Sequence, residues 1–385
     1  LDLQNFLNKE IRYGIGLMSG TSCDGIDAVL IRIKGTGPSL ALKIMEFQSL
    51  NIPQDLKLRM LSPRIDSKEV CSLNFDLGEQ FAIAASDLMD HARMENIEVD
   101  YVACSGHTLA HLPPRKDEGN GTLQIGEPAL IAERCKVPVI SNFRTRDMAV
   151  GGQGAPLVPY ADWSLFHRDD RTSALLNIGG IANITVVPPH LENVIAFDTG
   201  PGNMAIDGAV RLLTAGKYQM DTDGEMAASG VVIDEFMEYL LEHPYFSELP
   251  PKSTGREEFG PEVYLRDALA SRRDHSYEDL IATVTSAVAY SIIRAMNRFV
   301  RTQYDVNRVI ISGGGAHNTT LMKRIKQGLQ GITLRRSDKY GIPVDAKEAV
   351  AFAVLGNETL CGTPSNVPSA TGAHRPVILG NITPA

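Results

Sequence analysis

Residues 13–34 read YGIGLMSGTSCDGIDAVLIRIK: two apolar runs on either side of a polar, glycine-bearing turn. That pattern predicts strand, turn and strand. A second copy of the plan lies at residues 173–188, SALLNIGGIANITVVP, with Leu175, Leu176 and Ile178 ahead of a glycine pair and Ile184, Val186 and Val187 behind it. Two similar hairpins about half a chain apart point to two domains built on one ancestral plan.

Outward from the hairpins the periodicity changes. Residues 73–93 carry Phe75, Leu77, Phe81, Ile83, Leu88 and Met89 at helical spacing, and residues 99–104 form a short apolar run leading into Ser105-Gly106-His107-Thr108. Residues 278–300 set Ile281, Val284, Val288, Ile292, Met296 and Phe299 on one helical stripe, and residues 309–311 run straight into Gly313-Gly314-Gly315. Alternating strands, glycine loops and helices read as an α/β fold. Residues 143–159, FRTRDMAVGGQGAPLVP, have no clear period. This segment is the expected hinge and cleft lining between an N-terminal lobe, residues 1–142, and a C-terminal lobe, residues 143–385, whose last residues can pack back on the first lobe.

Composition narrows the function classes. A chain of 385 residues with 43% hydrophobic and 22% charged side chains is long enough for two or three cores and is neither fibrous nor low-complexity. The formal net charge of -9 argues against a surface that neutralises a nucleic-acid backbone. Five widely spaced cysteines without a CxxC pair indicate neither a zinc site nor a disulfide framework. No run approaches the ~18 apolar residues of a membrane span. The opening LDLQNFLNKEIR mixes charge with apolar residues, unlike a signal peptide. The expectation is a cytoplasmic protein with no nucleic-acid or membrane partner.

The first turn, Gly20-Thr21-Ser22-Cys23-Asp24-Gly25-Ile26-Asp27, offers hydroxyls, glycine-freed backbone N–H groups and two acids. These are the parts needed to grip a polyphosphate and position its Mg2+; the same residues also suit a bulged hairpin turn. Neither GxxxxGK[ST] nor a GxGxxG after a strand occurs, which disfavours P-loop and Rossmann binding. In Ser312-Gly313-Gly314-Gly315-Ala316-His317-Asn318, consecutive glycines either admit a flat base or ribose to the backbone or relieve a crowded strand–helix corner. Three glycine loops, each ending a β run, favour a nucleotide clamped between two lobes.

The two hairpins and the GGG loop together resemble the sugar kinase/Hsp70/actin superfamily, a two-lobed ribonuclease H-like fold with a nucleotide cleft between the lobes. More narrowly, GLMSGTSCDGIDAVL, LQIGEPALIAE, FRTRDMAVGGQGAPLVP, LLNIGGIANIT, AFDTGPGNMAID, PKSTGRE, SGGGAHN and YGIPVDAKEAVAFA, in this order, resemble the anhydro-N-acetylmuramic acid kinases. The resemblance implies an enzyme of peptidoglycan recycling that uses ATP and Mg2+ to open a 1,6-anhydro sugar with water while phosphorylating the released O6, giving N-acetylmuramic acid 6-phosphate. It also implies a homodimer.

The resemblance assigns site residues as well. Asp198, after the apolar run of residues 194–197 and at the expected C-terminal edge of a strand, becomes the base that deprotonates the attacking water; by itself it also suits the N-cap of a following helix. Glu348 holds sugar or water, though by position it is also a first-turn helix acid. Arg144, preferred over Arg146, binds phosphate or sugar with Asp147 as its orienter; a surface salt-bridge cluster is the competing use. Gly20, Thr21, Ser22, Cys23, Asp24, Gly25, Ile26 and Asp27 form the first phosphate loop, and Asp24 is assigned toward the metal. Asn177, Gly179 and Gly180 form the second loop, and Gly313, Gly314, Gly315 and Asn318 take the adenosine. His107, Thr108, Gly152 and Gln153 face the sugar. The loop Lys252 to Arg256 reads equally as solvated surface and receives no role.

Two departures from the family pattern bear on the acceptor. Ser-Gly-His-Thr stands where His-Gly-Gln-Thr is usual, replacing an amide by an imidazole, and Cys23 stands where a larger apolar residue is common. Cys23 reads as a small packed hydrophobe, and His107 with His111 are too sparse for a metal site. A levoglucosan (1,6-anhydroglucose) kinase shares these motifs, and an actin/Hsp70-like ATPase switch is the alternative from another class.

Overall fold

The structure is a computed structural model that describes residues 3–20, 23, 25–62, 65–114 and 120–385. Thirteen strands are present among them: β1 (Ile11–Ser19), β2 (Gly25–Lys34), β3 (Ala41–Asn51), β4 (Tyr101–Cys104), β5 (His107–Leu112), β6 (Gly121–Ile125), β7 (Val139–Ser141), β8 (Thr172–Ile178), β9 (Ile181–Val187), β10 (Ile195–Pro201), β11 (Val306–Ser312), β12 (Thr333–Arg336) and β13 (Asn381–Thr383). The chain divides into two compact units, one of Leu1–His167, His190–Val194 and Ala346–Ala385, the other of Arg168–Pro189 and Ile195–Asp345.

Each unit has its own sheet on the same plan. In unit 1 the order is β13-β7-β4-β1-β2-β3, and in unit 2 it is β10-β9-β8-β11-β12. In both, three sequential strands pair antiparallel and two further strands add in parallel beside the first. This is the ribonuclease H-like arrangement, present twice; β13 extends unit 1 by pairing antiparallel with β7.

The expected boundary at residues 142/143 falls inside unit 1. Residues 143–159 are not a featureless linker either: Phe143–Met148 and Val158–Phe166 are helices. Both are tied to the C-terminal part of the chain. Asp147 accepts from Asn366 Nδ2 and Thr371 Oγ1, each at 2.8 Å, and Asp162 pairs with Lys347. Periodicity within a segment carries no record of such long-range partners.

The helix Ser67–Met94 starts at Asp66, whose side chain accepts from Glu69 N. Leu73, Leu77, Phe81 and Leu88 are fully buried in the unit 1 core. Phe75 and Ile83, counted above as part of the stripe, are 52% and 37% exposed. They lie two residues, about 200°, from Leu77 and Phe81 on a helix turning 3.6 residues per revolution. The helix Tyr277–Ala295, continued by a π turn over Met296–Val300, buries all six residues of its stripe, five in the main unit 2 core and Ile281 in a small cluster with Val210, Ala227 and Ala282. Among the described residues, Tyr277–Val300 is the one segment long and apolar enough to cross a membrane, and 78% of the qualifying window is buried inside the protein.

In unit 1 the helix Lys347–Leu360 lies directly on β1. A Cβ at Gly16 would stand 2.1 Å from the Ala349 carbonyl oxygen, so only glycine permits this approach. Gly16→Ala must push the helix away, and overpacking of this kind costs about 1–3 kcal/mol. A fall of several degrees in Tm, followed by circular dichroism, is expected; an unchanged Tm contradicts the close packing.

Candidate active site

In unit 2, β10 is an edge strand and carries Asp198 in its interior, not at its end, because the ladder continues through Pro201. A bulge between Asp198 and Gly200 shifts the register against β9, and the intervening Thr199 turns inward to donate to Ala182 O at 3.1 Å. Bulges re-aim side chains at sheet edges. The alternative N-cap role is not used: Gly202 occupies that position for the helix Asn203–Leu213.

The polar loop that received no role in the sequence forms the other half of this arrangement. Asp198 N donates to Lys252 O at 3.0 Å, Thr254 N donates to Asp198 Oδ2 at 2.9 Å, and Tyr245 Oη donates to Asp198 O at 2.9 Å. Lys252 Nζ donates to Tyr245 O at 2.8 Å and stands over the Tyr245 ring at 4.2 Å and the Phe299 ring at 5.4 Å. The hydroxyl of Thr254 donates to Glu258. Residues 245–254 thus clasp Asp198 through backbone and side chain. The signal was present as PKSTGRE, but a cation beside Ser, Thr and Gly looks the same in any solvated loop.

Burial raises the Asp198 carboxyl to about 7; the Thr254 N–H and the Lys252 charge pull it down, and Glu257 pushes it up. Burial lowers Lys252 to about 8, opposed by Glu248 and Asp198 and reinforced by Arg298 and Arg294. Burial pushes the Tyr245 phenol well up, so it remains a donor. A carboxylate that titrates near neutrality and has one oxygen held by an N–H can accept a proton on the other.

The second hairpin and the GGG loop come together at one end of the same sheet, around Asn203, a residue the sequence reading did not single out. Gly179 O accepts from Asn203 N, and Gly180 O accepts from Gly202 N and Met204 N, so the hairpin tip docks on the start of the helix Asn203–Leu213. Gly313, at φ +83°, is packed against Ile178, and its N–H donates to Val344 O. Here the crowded-corner reading holds. Gly180 and Gly314 instead expose their backbone, and a Cβ on Gly314 would lie 3.4 Å from Asn203 Nδ2. Asn177 and Asn318 belong to the framework: Asn177 Oδ1 accepts from Ser312 Oγ at 3.1 Å, and Asn318 Oδ1 caps the helix Thr319–Gly328 through Leu321 N at 2.8 Å.

In unit 1, Thr21, Ser22 and Asp24 lie outside the described residues. Gly25, Ile26 and Asp27 belong to β2 rather than the loop, and Ile26 is fully buried in the core, so its side chain packs instead of reaching a ligand. Cys23, at φ 55°, donates its N–H to Gly20 O. Its Sγ lies 3.6 Å from His107 Nε2, while His107 Nδ1 is 3.2 Å from Ser19 Oγ. Burial lowers the imidazole to about 4, which keeps it neutral at physiological pH. His107 therefore braces the first turn. Thr108 Oγ1 accepts from Gln124 Nε2 at 3.4 Å.

Arg144 and Glu348 are brought within electrostatic reach of each other. Burial lowers the Arg144 guanidinium from its ordinary value, and Glu348 opposes that shift. Arg144 Nη1 donates to Gly154 O at 2.9 Å. Asp147 does not touch Arg144 but acts one step removed, accepting from Gly154 N at 2.8 Å. Gly152 is pressed against the Asp147 carboxylate, and exposed Gln153 donates its N–H to Thr371 O at 2.8 Å. Among the described residues, no three His, Cys, Asp or Glu side chains are grouped to hold a metal ion.

A family model described as anhydro-N-acetylmuramic acid kinase matches residues 12–385. The chain is 44% identical over 393 residues to the anhydro-N-acetylmuramic acid kinase of Caldanaerobacter subterraneus subsp. tengcongensis, covering 99% of each chain. It is 46% identical over 379 residues to that of Clostridioides difficile, covering 97% of this chain and 98% of the relative. With that of Bacillus cereus the identity is 44% over 382 residues, covering 96% and 99%. Among solved structures, component A of the Acidaminococcus fermentans (R)-2-hydroxyglutaryl-CoA dehydratase aligns with TM-score 0.47 at 12% identity, over 91% of this chain and 99% of that one. A ROK family glucokinase from Streptomyces griseus, in complex with glucose and AMPPNP, aligns with TM-score 0.38 at 11% identity, over 89% and 98%. On the extent of the family match and the identity of its relatives along nearly their whole length, this chain belongs to the anhydro-N-acetylmuramic acid kinase family.

Proposed function

We propose that the protein is an ATP-dependent kinase that hydrolytically opens the 1,6-anhydro ring of anhydro-N-acetylmuramic acid and phosphorylates O6. Asp198 takes a proton from water, the water oxygen bonds to C1, the C1–O6 bond breaks, and O6 receives the γ-phosphoryl group as ADP leaves. The products are N-acetylmuramic acid 6-phosphate, ADP and the proton. Capture of O6 by the phosphoryl group replaces the general acid of an ordinary glycosidase. The observation that carries this reading is the half-buried Asp198 carboxyl, raised to about 7 and held on one oxygen by Thr254 N–H.

Arg144 and Glu348 bind the acceptor, and Asp147 positions Arg144 through Gly154. In unit 2 the exposed backbone at Gly180 and Gly314 suits the nucleotide, since the first N–H groups of the turn beginning at Gly314 have no partner within it. Mg2+ bound with the phosphates would neutralise part of their charge; Asp24, assigned to it from sequence, lies outside the described residues. A homodimer is part of the proposal and is tested by sedimentation. Incubation with ATP and the anhydro sugar in heavy-oxygen water tests the chemistry: the label belongs on C1 of the 6-phosphate. Unlabelled product, or turnover only with 1,6-anhydroglucose, overturns the assignment.

Lys252 is proposed as a positioning residue that helps keep Asp198 ionised. With the carboxyl near 7 and the ammonium near 8, both are charged in the interval between, and kcat/KM falls about tenfold per pH unit on the acid side. Removing the cation raises the carboxyl further. Lys252→Met therefore moves the acid limb to higher pH, whereas Lys252→Arg leaves it in place. The nucleotide's own titration cancels in this comparison. An unmoved limb in Lys252→Met shows that the loop serves only to hold the chain.

A further inference from the structure

The carboxylate of Asp147 is fully buried and, among the described residues, takes part in no ion pair. Three donors converge on it instead: Asn366 Nδ2 and Thr371 Oγ1 on Oδ1, and Gly154 N on Oδ2, each at 2.8 Å. An ionised carboxylate offers acceptors only, so every group around it is matched in kind. A buried group of this sort is tolerated only while its hydrogen bonds are made. One side chain thus ties Gly154 to the chain segment 366–377. Every residue concerned lies in unit 1.

That segment is itself fixed. Asn366 Oδ1 accepts from Val377 N at 2.7 Å and its Nδ2 also donates to Arg375 O at 3.3 Å, which sets the amide with its donor toward Asp147. Thr371 O accepts from Gln153 N at 2.8 Å, and Val150 O accepts from His374 N at 2.9 Å. Asn366 and Thr371 are each 1% exposed. At the other end of the relay Gly154 has φ +72°, and a Cβ there would stand 2.8 Å from Met148 Cγ and 3.3 Å from His111 Cε1, so only glycine fits. Gly154 O accepts from Arg144 Nη1 at 2.9 Å, the one hydrogen bond of that guanidinium among the described residues. The guanidinium carries five donors in a rigid fork, so fixing one fixes the direction of the others.

We infer that Thr371 and Asn366 are positioning residues for Arg144, acting through Asp147 and Gly154, although they lie 224 and 219 residues along the chain from Asp147. The inference rests on the reading of Arg144 as a group that binds the acceptor. Withdrawing one donor loosens the Asp147 carboxylate, Gly154 follows it, and the guanidinium follows Gly154. A displacement of about 1 Å that misaligns such a group costs up to about a hundredfold in rate, even when its origin is far from the chemistry.

Thr371→Val keeps the branched shape and deletes the donor, whereas Thr371→Ser keeps the donor. In steady-state assays of the full chain with ATP and the anhydro sugar, Thr371→Val raises the sugar KM about tenfold, the scale of one hydrogen bond to a charged group, and leaves the ATP KM unchanged. Thr371→Ser retains the wild-type KM. A residue that only stabilises the fold lowers the active fraction, and so kcat, without moving KM. In an Arg144→Lys background Thr371→Val adds less than about twofold, because the route to the sugar is already broken. Asn366→Ser withdraws the other donor, gives the same rise and the same dependence on Arg144, and serves where Thr371→Val does not fold. A wild-type sugar KM in the folded variant, or an equal rise in both backgrounds, overturns the inference. Hydrogen exchange of the peptide spanning Gly152 to Gly154, measured without substrates, quickens in Thr371→Val and separates the two readings. Unchanged exchange refutes the relay; faster exchange together with a wild-type sugar KM in Arg144→Lys refutes the acceptor role of Arg144.

Discussion

Asp198→Asn lowers formation of the sugar 6-phosphate by about a hundredfold to ten-thousandfold, the usual loss when a general base is removed. Nucleotide affinity stays near wild type. Asparagine has nearly the same volume, and its carbonyl oxygen can still accept from Thr254 N, so the clasp of residues 245–254 survives while the proton acceptor is lost. Steady-state kinetics with the anhydro sugar and titration with a fluorescent ATP analogue separate the two effects. Wild-type turnover removes Asp198 from the mechanism. Stability supplies an independent check. A carboxyl raised from 3.8 to about 7 in the folded state favours folding when protonated, fully so below 3.8, and that contribution is lost as pH rises through about 7. The variant lacks this pH dependence, so its Tm above pH 7 is no lower than that of the wild type.

Asp162→Ala costs about 3–5 kcal/mol of stability, the range for removing one partner from a buried ion pair. Lys347 Nζ lies 2.9 Å and 3.0 Å from the two Asp162 oxygens, with side-chain exposures of 4% and 2%. Without the carboxylate, an ammonium is left uncompensated at the start of the helix Lys347–Leu360, one residue before Glu348. Thermal unfolding should show Tm lower by roughly 10 °C. The paired replacement Asp162→Leu with Lys347→Met removes both charges and recovers most of the loss. If the pair also orients Glu348, kcat stays low in the stable double variant; wild-type kcat there limits the pair to stability. A single Asp162→Ala protein with wild-type Tm shows that water reaches the site.

Local patterns were read most reliably where one segment contains the whole cause. The two hairpins, the long helix Tyr277–Ala295 and the strand entering the GGG loop depend on alternation, helical spacing and glycine, all visible within short windows. The phase of the helix Ser67–Met94 was less legible, because Phe75 and Ile83 are as apolar as the residues that face the core. Asp198 stands out by its motif, yet its place inside β10 depends on a bulge and on pairing with β9. Lys252, Thr254 and Tyr245 do not stand out in the sequence for the same reason: their hydrogen bonds to Asp198 span about fifty residues of chain.

The order and spacing of the glycine turns and acidic motifs were enough to determine the family and the twofold repetition of an α/β plan, since these depend on local backbone demands written into residue type. Tertiary structure decided which residues are occupied by the framework and which remain open to chemistry. His107, Asn177 and Asn318 are committed to internal hydrogen bonds, whereas Lys252 accepts from Asp198 N through its carbonyl and acts on the Asp198 carboxyl through its charge. Burial and distant partners set those assignments, because desolvation and hydrogen bonding act through space and a linear sequence does not state which groups will share it.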